Sequence, residues 1–263
     1  MNRRPPPEST DRLTALADML AATARAEVSH FWFRGFRQFV TPLLERAAGG
    51  RRDLRIVDCG AGTGYNLRLL ERFGRPAGVE LTQEGAAFAH TRGERRIAIG
   101  DVTALPFASA SMDLATSFDV LYCLPDAAER AALAEMARVL VPGGRAVINV
   151  AAMPALRGEH SELTHEVRRY TRRELREALE RAGFRVLRMT HTNAVTLPLV
   201  AGARALQRRG RLRGNGRAAR DMQIPAAPLN LALSAALVLE AAIVRVVDLP
   251  IGSSLLALAE KPQ

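Results

Sequence analysis

The stretch VDCGAGTG, Val57–Gly64, constrains the fold of this chain more than any other. An apolar run ends in Asp58, glycines follow at alternate positions, and a segment with helical spacing then closes on Gly74. This order predicts a strand, a glycine loop and a helix whose N-terminus a ligand can approach, because glycine places no side chain in the way. The spacing is G-x-G-x-G, which differs from the G-x-G-x-x-G of dinucleotide-binding loops.

Strand-like runs alternate with helical segments from Leu54 to Ala152, a pattern that predicts a parallel sheet with helices on both faces. Such sheets bind ligands at the carboxyl ends of their strands. Acidic residues fall at these ends, namely Asp58, Glu80, Asp101 and Asp119. We therefore expect one site at this edge, with the acid that ends the second strand accepting hydrogen bonds from ribose hydroxyls.

Residues 54–152 resemble a class I S-adenosylmethionine-dependent methyltransferase of the broad small-molecule type. The matching segments are VDCGAGTG, GVEL, GDVTALPF, SFDVLYCLPD and LVPGGRAVI. The resemblance implies a doubly wound, Rossmann-like α/β fold with a seven-stranded sheet whose last strand is antiparallel. It also implies S-adenosyl-L-methionine as the cofactor and a methyltransferase activity, for which we expect a small, apolar or lipid-like acceptor.

The resemblance further implies which residues contact the cofactor. The glycine loop would wrap the methionine part, with Asp58 near its amino group. Glu80 would hold the ribose hydroxyls, and Asp101 with the Val102 amide would contact the adenine. The full implied set is Asp58, Gly60, Ala61, Gly62, Gly64, Glu80, Leu81, Asp101, Val102 and Phe118.

The segment HFWFRGFRQF, residues 30–39, holds five of the thirteen aromatic residues of the chain. Its spacing predicts a helix, and one interpretation is an aromatic stripe that packs on the sheet. In similar enzymes a segment before the glycine loop folds over the methionine end of the cofactor. On that second interpretation Trp32 and Phe33 wall the pocket, and Arg37 or Arg34 pairs with the cofactor carboxylate.

The candidate catalytic residues are His165, in the polar loop after the fifth strand, and Tyr122, in the segment after the fourth. A hydroxyl acceptor usually needs a base, whereas a carbon, sulfur or amine acceptor may need little, so the sequence leaves the nucleophile open. No cluster of carboxylates predicts a metal site.

The chain divides, by these patterns, into five parts. We expect a disordered tail over 1–10, a helical cap over 11–50, the cofactor-binding core over 51–191, a helical insertion over 192–252, and the last strand with the C-terminus over 253–263. The insertion separates strands six and seven. Because strand six ends at the cofactor edge, the insertion is placed to serve as a lid over the site.

The insertion combines a basic stretch with a long apolar helix, predicted to begin near Pro228. No residue from Met222 to Leu239 is charged, which approaches the length of a membrane span. Three placements stay open: burial in the chain or in a homodimer, docking on a membrane surface through 204–247, and a true span. The expected location is the cytoplasm or the inner face of a membrane, since two cysteines make no disulfide framework.

Other classes of function are also compatible with this sequence. The net charge of +10 would suit RNA, and an RNA methyltransferase using the basic loop is one alternative. Nucleic acid is the less favoured partner, because no aromatic residues are interleaved with those arginines. The second alternative is a regulatory or scaffold protein that binds S-adenosylmethionine or S-adenosylhomocysteine without transfer.

Overall fold

The computed structural model describes residues 7–157, 166–208 and 223–263. Seven strands form one sheet in the order β3-β2-β1-β4-β5-β7-β6. Apolar and β-branched residues make up most of the central strands, which are buried on both faces, as expected for parallel strands. The strands are β1 Leu54–Cys59, β2 Gly74–Glu80, β3 Ile97–Ile99, β4 Met112–Phe118, β5 Leu140–Ala151, β6 Arg185–Thr192 and β7 Ser254–Glu260.

Strand direction confirms the predicted fold class. β1 runs parallel to β2 and β4, and the parallel pairing continues to β3 on one side and to β5 on the other. β7 lies between β5 and β6 and is antiparallel to both. The carboxyl ends of the first six strands therefore meet at one edge of the sheet, which we call the carboxyl edge.

Helices cover both faces of the sheet. Alternate residues of β5 point to opposite sides, so that Val147 joins one hydrophobic cluster while Ala146 and Ile148 join the other. The helices are α1 Pro7–Ala26, α2 Phe31–Ala48, α3 Tyr65–Leu70, α4 Gln83–Thr91, α5 Asp126–Val139, α6 Arg172–Arg181, α7 Leu197–Arg208 and α8 Ala227–Val244. One cluster includes residues of α5 and α6, and the other includes residues of α2 and α8.

The long helix α8 lies beside α2 and runs in the same direction. Near its start, the Asn230 side chain accepts a hydrogen bond from the Phe31 amide at 2.8 Å. Near its end, Arg245 pairs with Glu45 at 3.4 Å. Between these points Gly35 lets the helices approach closely, because a Cβ there would lie 2.4 Å from the Leu237 Cδ1 atom.

This placement corrects the expected lid over 192–252. Of the two described helices of the insertion, α7 lies at the carboxyl edge, where it contacts a 3₁₀ turn, Pro154–Leu156, that follows β5. α8 instead runs back along the sheet face, held by its contacts with α2 and β6. The described parts of the insertion contain the helices α7 and α8, and the longer of the two covers the sheet and not the site.

Two further boundaries differ from the sequence predictions. α1 begins at Pro7, so the tail expected to be disordered over 1–10 is helical from Pro7 onward, while residues 1–6 lie outside the described residues. Gly74 does not cap α3 but begins β2. The reason is steric, since a Cβ at Gly74 would lie 2.0 Å from the Leu54 carbonyl oxygen of the neighbouring strand.

Candidate cofactor and acceptor site

The glycine loop after β1 turns tightly at the carboxyl edge. Gly60, Gly62 and Gly64 have φ angles of 86°, 55° and 75°, in the left-handed region that favours glycine. The amides of Gly60 and Ala61 both donate to the Val79 carbonyl, at 2.8 and 2.9 Å, and this ties the loop to β2. The loop therefore presents bare backbone at the start of α3.

Glu80, at the end of β2, lies against this loop. One carboxylate oxygen accepts the Gly62 amide at 2.9 Å, and the other accepts the Thr82 amide and hydroxyl at 2.9 and 2.7 Å. These bonds hold a buried carboxylate in a fixed orientation. The oxygen that accepts the Gly62 amide keeps a lone pair for a further hydrogen bond, as a contact with a ribose hydroxyl requires.

Asp58 is buried at the end of β1 and meets a single side-chain donor, the Thr116 hydroxyl, at 2.7 Å. Burial raises the pKa of Asp58 to about 7, and the nearby Glu80 carboxylate adds to the rise. Among the described residues, the Thr116 hydroxyl is the group that opposes this rise. A ligand with an ammonium group there would stabilise the ionised carboxylate.

Asp101 follows β3 and is exposed at the same edge. Its carboxylate accepts the Thr103 amide at 2.8 Å, which shapes the turn that begins with the buried Val102. Leu81 is 54% exposed beside Glu80. All ten residues of the implied cofactor set thus lie on β1, β2 and β4 or in the segments that follow β1, β2 and β3 at this edge.

The segment before β1 also reaches the glycine loop, through α1 and the turn that follows it. The Glu27 carboxylate accepts the Thr63 hydroxyl at 2.7 and 2.8 Å and pairs with Arg92. Leu20 lies over Gly62, 3.4 Å from the position that a Cβ would take there. The segment before β1 therefore contributes one wall of the cleft.

The aromatic segment of α2 extends from the carboxyl edge of the sheet into the core. Phe39 is buried in the core, as a packing stripe requires, whereas Phe36 meets Phe118 at the end of β4 in an edge-to-face contact of 5.1 Å. Trp32 and Phe33 are half-buried near the start of the helix. This part of α2 lies at the carboxyl edge, and a role for Trp32 in the pocket stays a prediction.

Arg37 lies above the first residue of α3. Its guanidinium is 4.9 Å from the centre of the Tyr65 ring, and those of Arg68 and Arg92 lie 5.7 and 5.4 Å from the same ring. Burial lowers the pKa of Arg37, although the group stays positive at neutral pH. Arg37 and Arg68 therefore place positive charge beside the residue that follows Gly64, in a position suited to an anionic group, while Arg92 is paired with Glu27.

Asp119 stands at the end of β4, where a base for the acceptor would lie. Its carboxylate accepts the Asn149 side-chain amide of β5 at 2.9 Å. The side chain is accessible to solvent at the carboxyl edge, but protein surrounds the carboxylate on its other sides. This desolvation, with the charge of Glu166 nearby, raises the pKa of Asp119 to about 7.

The backbone is strained at three strand ends of this edge. Asp119, Met153 and Asn193, which follow β4, β5 and β6, have φ angles of 62°, 61° and 64°. Asp and Asn tolerate this region better than other non-glycine residues, so the strain is greatest at Met153. Strained backbone of this kind is often found at functional sites.

The two predicted catalytic residues have different outcomes. His165 lies outside the described residues. Tyr122 lies in a 3₁₀ turn, Leu121–Cys123, beside Asp119, and burial with the nearby Asp119 charge raises its pKa well above the ordinary value. The Tyr122 phenol stays protonated at neutral pH and can donate a hydrogen bond, but it cannot act as a base.

Sequence reasoning named Asp119 as a strand-end acid and missed its partners. The sequence predicts Asn149 only as a polar residue in the middle of a strand. The register between β4 and β5 is what brings it beside Asp119. Glu166 and Arg169 form an ion pair at 3.0 Å in the loop before α6, and both are largely buried. The i, i+3 spacing of opposite charges was the available signal, but it is common on exposed surfaces as well.

The sheet order, the antiparallel last strand and the glycine loop after β1 together define the class I S-adenosylmethionine-dependent methyltransferase superfamily, whose cofactor is S-adenosylmethionine. Within this chain, residues 57–148 match the model of the methyltransferase domain family. This domain contains the glycine loop, Glu80, Asp101 and Asp119. It is the domain of a family of methyltransferase enzymes.

A curated relative extends the similarity beyond this domain. The chain is 32% identical over 162 residues to a probable S-adenosylmethionine-dependent methyltransferase of Mycolicibacterium smegmatis. The aligned region covers 60% of this chain and 60% of the length of that relative.

Solved structures show the same fold. The 1,6-didemethyltoxoflavin-N1-methyltransferase of Burkholderia thailandensis, with bound 1,6-didemethyltoxoflavin and S-adenosylhomocysteine, aligns with a TM-score of 0.57 at 19% identity, over 100% of this chain and 93% of that one. A complex of the Haloferax volcanii Trm112 methyltransferase activator with a methyltransferase aligns with a TM-score of 0.56 at 22% identity, over 84% and 90%. At these identities the likeness concerns the fold.

Proposed function

We propose that this chain is an S-adenosylmethionine-dependent methyltransferase that acts on a small, apolar or lipid-like acceptor. The observation that carries the proposal is the contact between Glu80 and the Gly62 amide. It fixes a ribose-binding carboxylate directly against a glycine loop that leaves backbone exposed at the start of α3.

The chemistry of these residues fits the cofactor. The buried Asp58 carboxylate would bind the amino group, and the ammonium charge would lower a pKa that burial raises to about 7. Glu80 would accept hydrogen bonds from the ribose hydroxyls, and Asp101 with the Val102 amide would contact the adenine. Arg37 would pair with the carboxylate of the methionine part.

When bound, the cofactor supplies a methyl group on a positively charged sulfur. The protein must then hold the acceptor in line, exclude water and, for an acidic nucleophile, remove a proton. Asp119 is the residue placed to take that proton, because it stands at the strand end and is ionised above about pH 7. The Tyr122 hydroxyl would orient the acceptor as a hydrogen-bond donor.

An apolar acceptor is supported by the walls of the cleft. Phe36 and Phe118 meet at its inner side, and Trp32 and Phe33 lie nearby on the same helix. Rings of this kind bind apolar molecules by burial of surface and supply no charge to select a polar one. The Burkholderia structure contains bound 1,6-didemethyltoxoflavin and S-adenosylhomocysteine, so a protein of the same fold binds a small molecule beside its cofactor product.

Transfer of an isotope-labelled methyl group tests the proposal. The chain is incubated with labelled cofactor in three separate reactions, which contain lipid extract, polar metabolite extract or total RNA. We expect label in the lipid or apolar metabolite fraction. Asp119→Asn should lower transfer while cofactor affinity, measured by calorimetry, is retained. Tight cofactor binding without any labelled product would establish the scaffold alternative, and label in RNA would establish the nucleic-acid alternative.

A further inference from the structure

The exposed side of α8 contains no polar residue. We call this side the outer face of α8. Leu231 and Leu239 are its most exposed leucines, at 64% and 69%. Its members are Ala227, Pro228, Leu229, Leu231, Ala232, Ala235, Val238, Leu239, Ala242 and Ile243. A surface helix of a protein in water normally presents charged and polar residues on this side.

The polar residues of α8 point into the protein instead. Asn230, Ser234 and Glu240 are all buried. The Asn230 side chain bonds the Phe31 amide and the Ser29 carbonyl at 2.8 and 2.9 Å. The Glu240 carboxylate accepts the amides of residues 194 and 195, at 2.8 and 2.9 Å, and so anchors the start of the insertion. The usual polarity of a surface helix is therefore reversed, which suits a helix with an apolar medium outside.

The same helix is the one segment of the described residues that is long and apolar enough to cross a membrane, with a third of it, 33%, buried in the protein. Its polar side chains and its contacts with α2 fix it to the sheet, so crossing a bilayer would break the bonds of Asn230 and Glu240. The arrangement fits a helix that lies in the membrane interface with one face in contact with lipid.

The positive charge of the chain favours one kind of surface as the partner of the outer face of α8. The stretch from Arg204 to Arg220, which leads into α8, contains seven arginines and no acidic residue, and the whole chain carries +10. Two copies of the chain would each carry this net positive charge, which opposes an α8–α8 contact. An anionic lipid surface complements both the outer face of α8 and the net positive charge of the chain.

We propose that the outer face of α8 docks in the plane of an anionic lipid bilayer, as at the inner face of a cytoplasmic membrane. The proposal goes beyond methyl transfer, because it concerns a face of the sheet domain that needs neither cofactor nor acceptor. It places α2 and the sheet above the lipid, and it brings the start of α8, beside Phe31, to the membrane near the rim of the cleft.

Flotation of the full chain with vesicles tests this docking. Vesicles of phosphatidylcholine alone are compared with vesicles that also contain phosphatidylglycerol. We expect the chain to float with the anionic vesicles, and the bound fraction to fall as salt rises because salt screens the arginines. Equal binding to both kinds of vesicle, or binding to neither, would overturn the proposal.

Two matched variants separate the outer face of α8 from general effects of charge. Ala235→Glu lies on this face, whereas Ala134→Glu places the same substitution on an exposed alanine of α5, on the opposite side of the sheet. We expect about tenfold or more weaker vesicle binding for Ala235→Glu and little change for Ala134→Glu, with both melting temperatures near wild type. Equal binding of the two variants to anionic vesicles would overturn the proposal.

Analytical ultracentrifugation without lipid addresses the competing occupant of the same face. We expect the wild-type chain to sediment as a monomer. A wild-type dimer that becomes a monomer in Ala235→Glu would show that the face joins two copies, and the lipid proposal would then be wrong. None of these measurements uses the cofactor, so their failure leaves the proposed methyltransferase function untouched.

Discussion

The carboxylate of Glu80 accepts a hydrogen bond from the backbone amide of Gly62 at 2.9 Å, so the end of β2 and the glycine loop after β1 form one rigid unit. Eighteen positions separate these residues along the chain, and the parallel register of β1 with β2 brings them together. The contact fixes the loop before any ligand arrives, which reduces the ordering cost of binding.

Glu80→Gln should therefore weaken cofactor binding strongly. Glutamine has the same shape but turns a donor NH₂ toward one of the amides that Glu80 accepts. We expect a loss of about tenfold to a hundredfold in cofactor affinity, about 1.4–2.8 kcal/mol, in isothermal titration calorimetry. Glu84→Gln, on an exposed residue of the next helix, is the matched control and should bind as wild type. Equal affinities would remove Glu80 from the site.

Gly60→Ala should destabilise the chain through a specific clash. A Cβ at Gly60 would lie 2.3 Å from the Val120 Cγ2 atom, and its φ of 86° is strained for alanine. Gly49→Ala is the control, because Gly49 also has a positive φ but no atom lies within 4 Å of its Cβ position. We expect losses in the free energy of unfolding of about 3 kcal/mol for Gly60→Ala and about 1 kcal/mol for Gly49→Ala in urea denaturation.

Adding Val120→Ala to Gly60→Ala removes the clash and leaves the backbone strain. The double variant should recover part of the lost free energy of unfolding relative to Gly60→Ala alone. No recovery would mean that Val120 does not press on the loop, and that backbone strain accounts for the whole loss.

Asp58 should make the chain less stable as pH rises in the absence of cofactor. Its pKa is about 7 in the folded state against 3.8 for the ordinary side chain. The folded state therefore binds more protons than the unfolded state between these values, so the Asp58 contribution falls from about pH 4 to about pH 7 and is constant above.

Asp58→Asn removes this titration and keeps an oxygen for the Thr116 hydroxyl. Relative to wild type, the variant should gain free energy of unfolding on the order of 2–4 kcal/mol at pH 8 and little at pH 4, by urea denaturation at the two values. It should also bind the cofactor more weakly, since it lacks the charge for an ammonium group. If the variant is no more stable than wild type at pH 8, burial does not raise the pKa of Asp58 in the folded state.

The sequence predicted the sheet, the glycine loop and the position of Glu80, because these depend on local patterns that the parallel fold repeats. It left the place of α8 open among three alternatives, because a sequence does not show which partners the polar residues of a helix meet. In this helix Asn230 and Glu240 are buried, and their partners lie in segments distant along the chain. The Asp119–Asn149 pair was missed for a related reason, since it depends on the register between two strands.

Trp32→Ala separates the two interpretations of the aromatic segment. Trp32 is half-buried at the carboxyl edge, whereas Phe39, two turns along the same helix, is 1% exposed in the core. If Trp32 walls the pocket, its loss should weaken cofactor or acceptor affinity by about tenfold and change the melting temperature little. Phe39→Ala should instead lower the free energy of unfolding by about 3–5 kcal/mol, because it leaves a cavity between α2 and the sheet.

Calorimetric titration and thermal unfolding of both variants give the two quantities. A Trp32→Ala variant that loses stability as Phe39→Ala does, with affinity unchanged, would assign the whole segment to packing. The expected contrast would place Trp32 in the cleft beside Phe36 and Phe118, whose rings meet at the end of β4. The aromatic residues are then concentrated at the start of α2 because this helix has two roles. It packs on the sheet through Phe39 and borders the site through its first turn.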